Sequence, residues 1–253
     1  MHYPLAGTGH GRQRGTTVFR THAPTGRFMK LLAIDCAANL CAACVYDAAA
    51  GKELGRSVLD LGKGHAEHLM AVIDEALKAG GTSYAGLGAI AVSVGPGSFT
   101  GLRVGVSAAR GLALALKIPA IGVTTLEALA AEAVTTFSGR ATLAALDAGR
   151  EEIHAAFYDE GSVLRYGPAV TTLPQAVTMA VDSLPVLAGT AATQIAASAG
   201  RAFDIGPTSA TADIAVYARL AATKGEGEKP KPLYLRGADA KPQAGFILSR
   251  QKN

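Results

Sequence analysis

From residue 31 onward the apolar residues fall into short dense runs separated by turn residues, and the runs alternate between two periods. Residues 31–35 are apolar and end in Asp35; Ala37-Ala38-Asn39 can turn; residues 40–46 form a second run and 52–61 a looser third. Three consecutive strands with short turns predict a meander rather than strand–helix–strand units. Over 65–80 the period changes to that of a helix, with Leu69, Val72, Ile73, Ala76 and Leu77 on one stripe and Gly80-Gly81 ending it. An apolar strand is predicted at 88–94, a Gly-rich loop at 95–100, a helix at 101–117, a strand at 120–123 and a helix at 125–134 capped by Thr124 or Thr125.

The order then begins again. Strands are expected at 142–147 and 152–158 around Ala148-Gly149-Arg150, with a short strand near Val163. A helix from about Pro174, a strand at 186–188 and a helix over 213–223 follow. The run Lys229-Pro230-Lys231-Pro232 marks a linker. Each half opens with a strand ending in Asp (Asp35, Asp147) and a turn to another strand. The expected fold class is therefore α/β, with two related lobes, each a mixed sheet flanked by helices. The expected division is a flexible extension at 1–28, lobes at 29–128 and 129–236, and a tail at 237–253.

The chain of 253 residues is 49% hydrophobic and 17% charged, which suits a sizeable core and excludes wholesale disorder. The formal net charge of +4 suggests nucleic-acid binding until it is located. Arg12, Arg14, Arg20 and Arg27 fall in 1–28, where there is no acid, and the rest balances. A basic face that releases phosphate counterions is thus not implied for the folded body. The longest charge-free stretch, 183–200, is interrupted by Pro, Gly and polar residues, so no membrane span is expected. Cys36, Cys41 and Cys44 lie within nine residues. In a strand, residues 41 and 44 point to opposite faces, so packed reduced thiols in the cytoplasm are expected rather than a metal clamp.

The sharpest local signal is Gly95-Pro96-Gly97-Ser98-Phe99-Thr100-Gly101-Leu102-Arg103, a Gly-rich loop between a strand and a helix, where backbone amides can cradle an anion. Its spacing matches neither a P-loop, which needs Lys-Ser/Thr after the last Gly, nor the G-x-G-x-x-G dinucleotide turn, nor the G-x-S-x-G elbow. A tight turn with a Ser98 or Thr100 cap competes with a phosphate or partner contact. His65 and His68 open a helix and lack an evident third metal ligand, so they read as a capping or solvated pair or as part of an interface.

The string VGPGSFTGLRVGVSAARGLALALKIPAIGVTTLEALA, with LLAIDCAANLCAACVYD and GHAEHLMAVIDEAL before it, resembles the TsaB (YeaZ) family. The resemblance is strong over about 29–129 and weaker through LAALDAGREEIHAAFYD and PLYLRG. It implies the actin/sugar-kinase/Hsp70-like (ASKHA) fold. It also implies a non-catalytic partner in synthesis of threonylcarbamoyladenosine in tRNA, acting with a TsaD-like transferase and a TsaE-like ATPase. A homodimer is a further expectation, with tRNA met only through the complex and no membrane contact.

The catalytic relative, TsaD, carries His-x-x-x-His where this chain has Thr125 and Leu129, with Glu127 as an isolated carboxylate between them. The Asp-x-Gly-Thr/Ser phosphate turn of nucleotide-binding members is replaced by Asp35-Cys36-Ala37-Ala38. No catalytic residue, cofactor site or metal site is therefore expected. A partner surface is expected on the two helices, at His65, His68, Leu69, Met70, Val72, Ile73, Leu102, Val106 and Arg110. The competing activities are an ATP-dependent phosphotransferase of the same fold and a glycoprotease-like peptidase.

Overall fold

The computed structural model describes residues 30–225 and 227–235. The expected extension at 1–28 and tail at 237–253 lie outside the described residues.

Strands β1 (Lys30–Asp35), β2 (Leu40–Asp47) and β3 (Lys52–Asp60) form the expected meander. Helix α1 (His65–Ala79) follows, then β4 (Ala89–Gly95), α2 (Phe99–Leu116), β5 (Ala120–Thr124) and α3 (Thr125–Thr136). The first sheet has the order β3-β2-β1-β4-β5, with β1 antiparallel to β2 and parallel to β4. The second half has β6 (Thr142–Asp147), β7 (Glu152–Tyr158), β8 (Leu164–Thr172), α4 (Leu173–Ser183), β9 (Val186–Ala188), α5 (Ala192–Ala199) and α6 (Ile214–Lys224). Its sheet order, β8-β7-β6-β9, repeats the first lobe's arrangement of third, second, first and fourth strand. Two mixed sheets flanked by helices and built on one plan are the ASKHA-type fold.

The layers follow from which faces are apolar. Both faces of β1 and β4 are buried, as parallel strands at a sheet centre require. One face of the first sheet packs on α1 and α2, through Ile34, Val45, Val72, Ile73 and Val106. The other packs on α6 and α3, and this layer continues into the second sheet through Ala144, Leu146 and Ala156. The far face of the second sheet is covered by α4 and α5. Helix α6, though it follows the second sheet in the chain, lies against β1 and β2 of the first. Arg56 of β3 bonds Glu53 and pairs with Asp213 Oδ2 at 2.7 Å, while Asp213 Oδ1 caps α6 by accepting the Ala215 N–H at 2.9 Å.

Three elements differ from expectation. Helix α2 begins at Phe99 rather than residue 101, because Ser98 serves as its cap. The strand expected near Val163 is β8, nine residues long. Helix α5 has no sequence signal: its cap position is Ala191, which offers no side-chain acceptor, and the helix contains no charge. Among the described helices α2 has the length and apolar composition of a membrane span. Its stripe of Leu102, Val106, Ala109 and Ala113 is buried against the sheet instead.

Candidate functional site

The Gly-rich loop links β4 to α2 and is closed on two sides by backbone. Ser98 N–H donates to Ala37 O at 2.6 Å, and Ser98 Oγ accepts the Gly101 N–H at 3.3 Å. A Cβ on Gly97 would stand 2.3 Å from Ala37 O, and one on Gly101 2.0 Å from Cys36 O. Real Cβ atoms do not approach so closely, so these glycines are needed for the turn after β1 to touch the start of α2. On the other side Leu233 N–H donates to Val94 O at 2.7 Å. A Cβ on Gly95, whose φ is 100°, would lie 3.2 Å from Leu233 O. Pro96 and Leu102 are buried; Phe99, Thr100 and Arg103 face outward. The Arg103 guanidinium lies 3.8 Å above the Phe99 ring and donates from Nε to the Tyr234 hydroxyl at 2.9 Å. Phe99 and Tyr234 stack with centroids 5.0 Å apart. Sequence reasoning missed Tyr234; its signal was the PLYLRG string.

Asp35 ends β1 in the interior, accepting the Ala37 N–H at 2.9 Å. Burial pushes its carboxyl up from the ordinary value of 3.8, and hydrogen bonds from Ser93, Ala37 and Thr211 offset part of that rise. A raised folded-state pKa means that the folded chain holds the proton more tightly than the unfolded one. The stability tied to Asp35 is then complete below about 3.8 and is lost as the pH rises through the folded value. Asp35→Asn removes this titration. The variant is expected to gain melting temperature over the parent at pH 7, with the gain shrinking as the pH falls toward 4. Parallel thermal scans across that range check it, and a gain that grows toward acid would contradict the assignment.

At the other candidate centre, Thr125 and Leu129 sit on the first turns of α3, both at 0% exposure in the layer between the sheets. The Thr124 side chain accepts the Glu127 N–H and Glu127 returns the bond to the Thr124 N–H, a reciprocal cap that starts the helix. Glu127 is not isolated: its Oε2 lies 2.5 Å from Lys224 Nζ on α6. The Tyr217 hydroxyl lies near Thr125 Oγ1, and no hydrogen bond of normal geometry satisfies either. A leucine in a packed core offers no lone pair, so this place cannot supply a two-ligand grip from one helix face. No group of three or more His, Cys, Asp or Glu able to hold a metal occurs among the described residues.

The nine expected partner-surface residues divide. Leu69, Val72 and Ile73 of α1 and Leu102 and Val106 of α2 are buried within the chain. His65 is also buried, with Nε2 3.2 Å from Leu40 O. His68, Met70 and Arg110 are exposed. The outer face of α2 adds Leu114, at 81% the most exposed large apolar side chain described, which periodicity alone did not single out. Along that face Arg103 and Arg110 stand seven residues apart without an acid on the helix, while α1 presents Glu67, Asp74 and Glu75.

Residues 60–223 match the TsaD family, described as tRNA N6-adenosine threonylcarbamoyltransferase. The chain is 35% identical over 137 residues to the tRNA threonylcarbamoyladenosine biosynthesis protein TsaB of Escherichia coli, a match covering 53% of this chain and 58% of that protein. It thus spans little more than half of that relative's length. The structure of YeaZ-like protein from Pseudomonas aeruginosa superposes with a TM-score of 0.70 at 25% identity, over 82% of this chain and 99% of that one. This chain belongs to the TsaB (YeaZ) family. An uncharacterized Mycobacterium tuberculosis protein is also 35% identical, over 76% of this chain and 84% of its own length. The family match starts at residue 60 and so takes in α1, the Gly-rich loop and the Thr125/Leu129 turn together.

Proposed function

We propose that this chain is a non-catalytic partner subunit in the synthesis of threonylcarbamoyladenosine in tRNA. It activates a TsaD-like threonylcarbamoyltransferase, works alongside a TsaE-like ATPase in the cytoplasm, and meets tRNA only within that complex. The observation that carries the reading is the start of α3, where Thr125 and Leu129 are core residues and Glu127 is held by Lys224. The turn after β1 supports it: Cys36 and Ala37 use their carbonyls to pack the Gly-rich loop, at the place where a phosphate turn would have to be open. The names of the relatives supply the pathway. The test is threonylcarbamoyl transfer to tRNA by the chain alone, by a TsaD-like transferase alone, and by both with the ATPase. Product is expected only when the transferase is present, with strong stimulation by this chain. Robust product from the chain alone would overturn the reading.

The partner surface is the exposed face of α1 and α2 around Met70, His68, Arg110 and Leu114. Without the transferase the same face pairs two copies of the chain about a two-fold axis. Met70 is 46% exposed, whereas Val72, two residues on, is fully buried. Met70→Glu is expected to weaken association at least tenfold while leaving the melting temperature within a few degrees. Val72→Glu places an unpaired charge in the core and is expected to unfold the chain. Sedimentation and pull-down by the transferase, read beside circular dichroism, separate the two. Unchanged association of a folded Met70→Glu chain would take α1 out of the interface.

A further inference from the structure

In the antiparallel pairing of β1 with β2, Asp35 stands opposite Ala42. One further step in that register places Cys36 opposite Cys41. Both cysteines are fully buried in the same apolar cluster, on the face covered by α1 and α2. Residues directly opposed in an antiparallel pair have Cα atoms about 4.5–5.5 Å apart, within the roughly 4.4–6.8 Å that a disulfide spans. Cys44 lies on the opposite face of β2, in the layer shared with α6. Two of the three thiols are therefore juxtaposed, and the third is separated from them by the sheet itself.

We propose that Cys36 and Cys41 are an oxidisable dithiol pair that a two-electron oxidant such as hydrogen peroxide converts to an intramolecular disulfide, leaving Cys44 as a thiol. The Cys41 sulfur attacks one peroxide oxygen as the O–O bond breaks, and its proton goes to the departing hydroxide. This gives a Cys41 sulfenic acid and one water. The Cys36 sulfur then attacks the Cys41 sulfur, the S–O bond breaks and a second water leaves. Two thiols and one peroxide become one disulfide and two waters; the sulfurs lose two electrons, which reduce the peroxide. Each thiol acts on the other, holding the Cys41 pKa down and pushing that of Cys36 up, consistent with Cys41 reacting first. Because both sulfurs are buried, the reaction waits on opening of the 37–40 turn. The bond bears on the start of α2, since Cys36 O packs against Gly101 and Ala37 O accepts the Ser98 N–H.

The reduced full-length chain is exposed to hydrogen peroxide without denaturant. Samples over time are alkylated in denaturant and weighed intact. The expected product is two mass units lighter than the reduced chain before alkylation, carries one alkyl group instead of three, and returns to three after dithiothreitol. Cys44→Ala is expected to lose both remaining thiols in the same way. Cys36→Ala and Cys41→Ala are each expected to lack the cross-link, and circular dichroism establishes that each is folded. Should a single variant fail to fold, fragmentation of the oxidised parent locates the bond directly. A bond that includes Cys44, or stepwise oxygen addition in place of a cross-link, would overturn the proposal. So would the absence of a cross-link at the time Cys44 itself begins to oxidise.

Discussion

Gly101→Ala is expected to cost the chain several kcal/mol of stability, lowering its melting temperature by about 10 °C or more at roughly 2–4 °C per kcal/mol for a chain of this size. The added methyl would stand 2.0 Å from Cys36 O and 3.2 Å from Cys36 C. Both are backbone atoms at the end of β1, a strand paired on both sides, so they cannot move aside as a side-chain tip would. Either α2 lifts from the sheet, exposing part of the Leu102 and Val106 stripe, or the turn after β1 distorts and Ser98 loses its bond to Ala37 O. Gly111 of the same helix supplies the control, because it is exposed and a Cβ there meets nothing within 4 Å. Gly111→Ala is expected to stabilise the chain by about 0.5–1 kcal/mol, the usual gain in a helix interior. Denaturant unfolding of the two single variants checks both signs. A Gly101→Ala chain as stable as the parent would mean that the close approach of α2 to the β1 turn is not needed.

Tyr217→Ala is expected to lose about 3–5 kcal/mol, as large-to-small changes of buried aromatics do. Tyr217 is the largest fully buried side chain described, and it stands on α6 in the layer between the two sheets. Tyr217 belongs to the one apolar cluster that also takes in residues of the second sheet, so unfolding is expected to remain one transition at lower denaturant rather than to split. Tyr217→Phe isolates the hydroxyl. That oxygen is buried near Thr125 Oγ1 without a hydrogen bond of normal geometry, so its removal is expected to change stability by less than about 1 kcal/mol, in the stabilising direction. A Tyr217→Phe loss as large as that of Tyr217→Ala would show that the hydroxyl is bonded in solution and carries the effect.

Much of the fold is legible in the chain because its signals are local. Apolar runs of strand length, the helical stripe through Leu69, Val72, Ile73 and Ala76, and the Asp-ended strands that open each half all depend on residues a few positions apart. The reciprocal cap at Thr124 and Glu127 is equally local. Helix α5 was not legible, since an uncapped, charge-free run of small residues has no period of its own and is helical because it covers the second sheet. The partner face was only half legible. A stripe of apolar residues tells that a helix buries one side, but not where that side ends. Tertiary packing drew the boundary between Val72 and Met70 and left Leu114 outside.

Contacts between residues distant in the chain were decided by tertiary structure alone. The glycines of the loop pointed to tight geometry in the sequence, yet what they approach, the Cys36 and Ala37 carbonyls, is set by the parallel pairing of β1 with β4. The same holds for Arg103 against Tyr234, Arg56 against Asp213, and Glu127 against Lys224. Residue types and local periods determined which strands, helices and caps this chain can form. The β1–β2 register decided which thiols face each other, the return of α6 against the first sheet decided which charges meet, and the packing of α1 and α2 decided which apolar side chains remain for a partner, because burial belongs to the packed layers and not to any one segment.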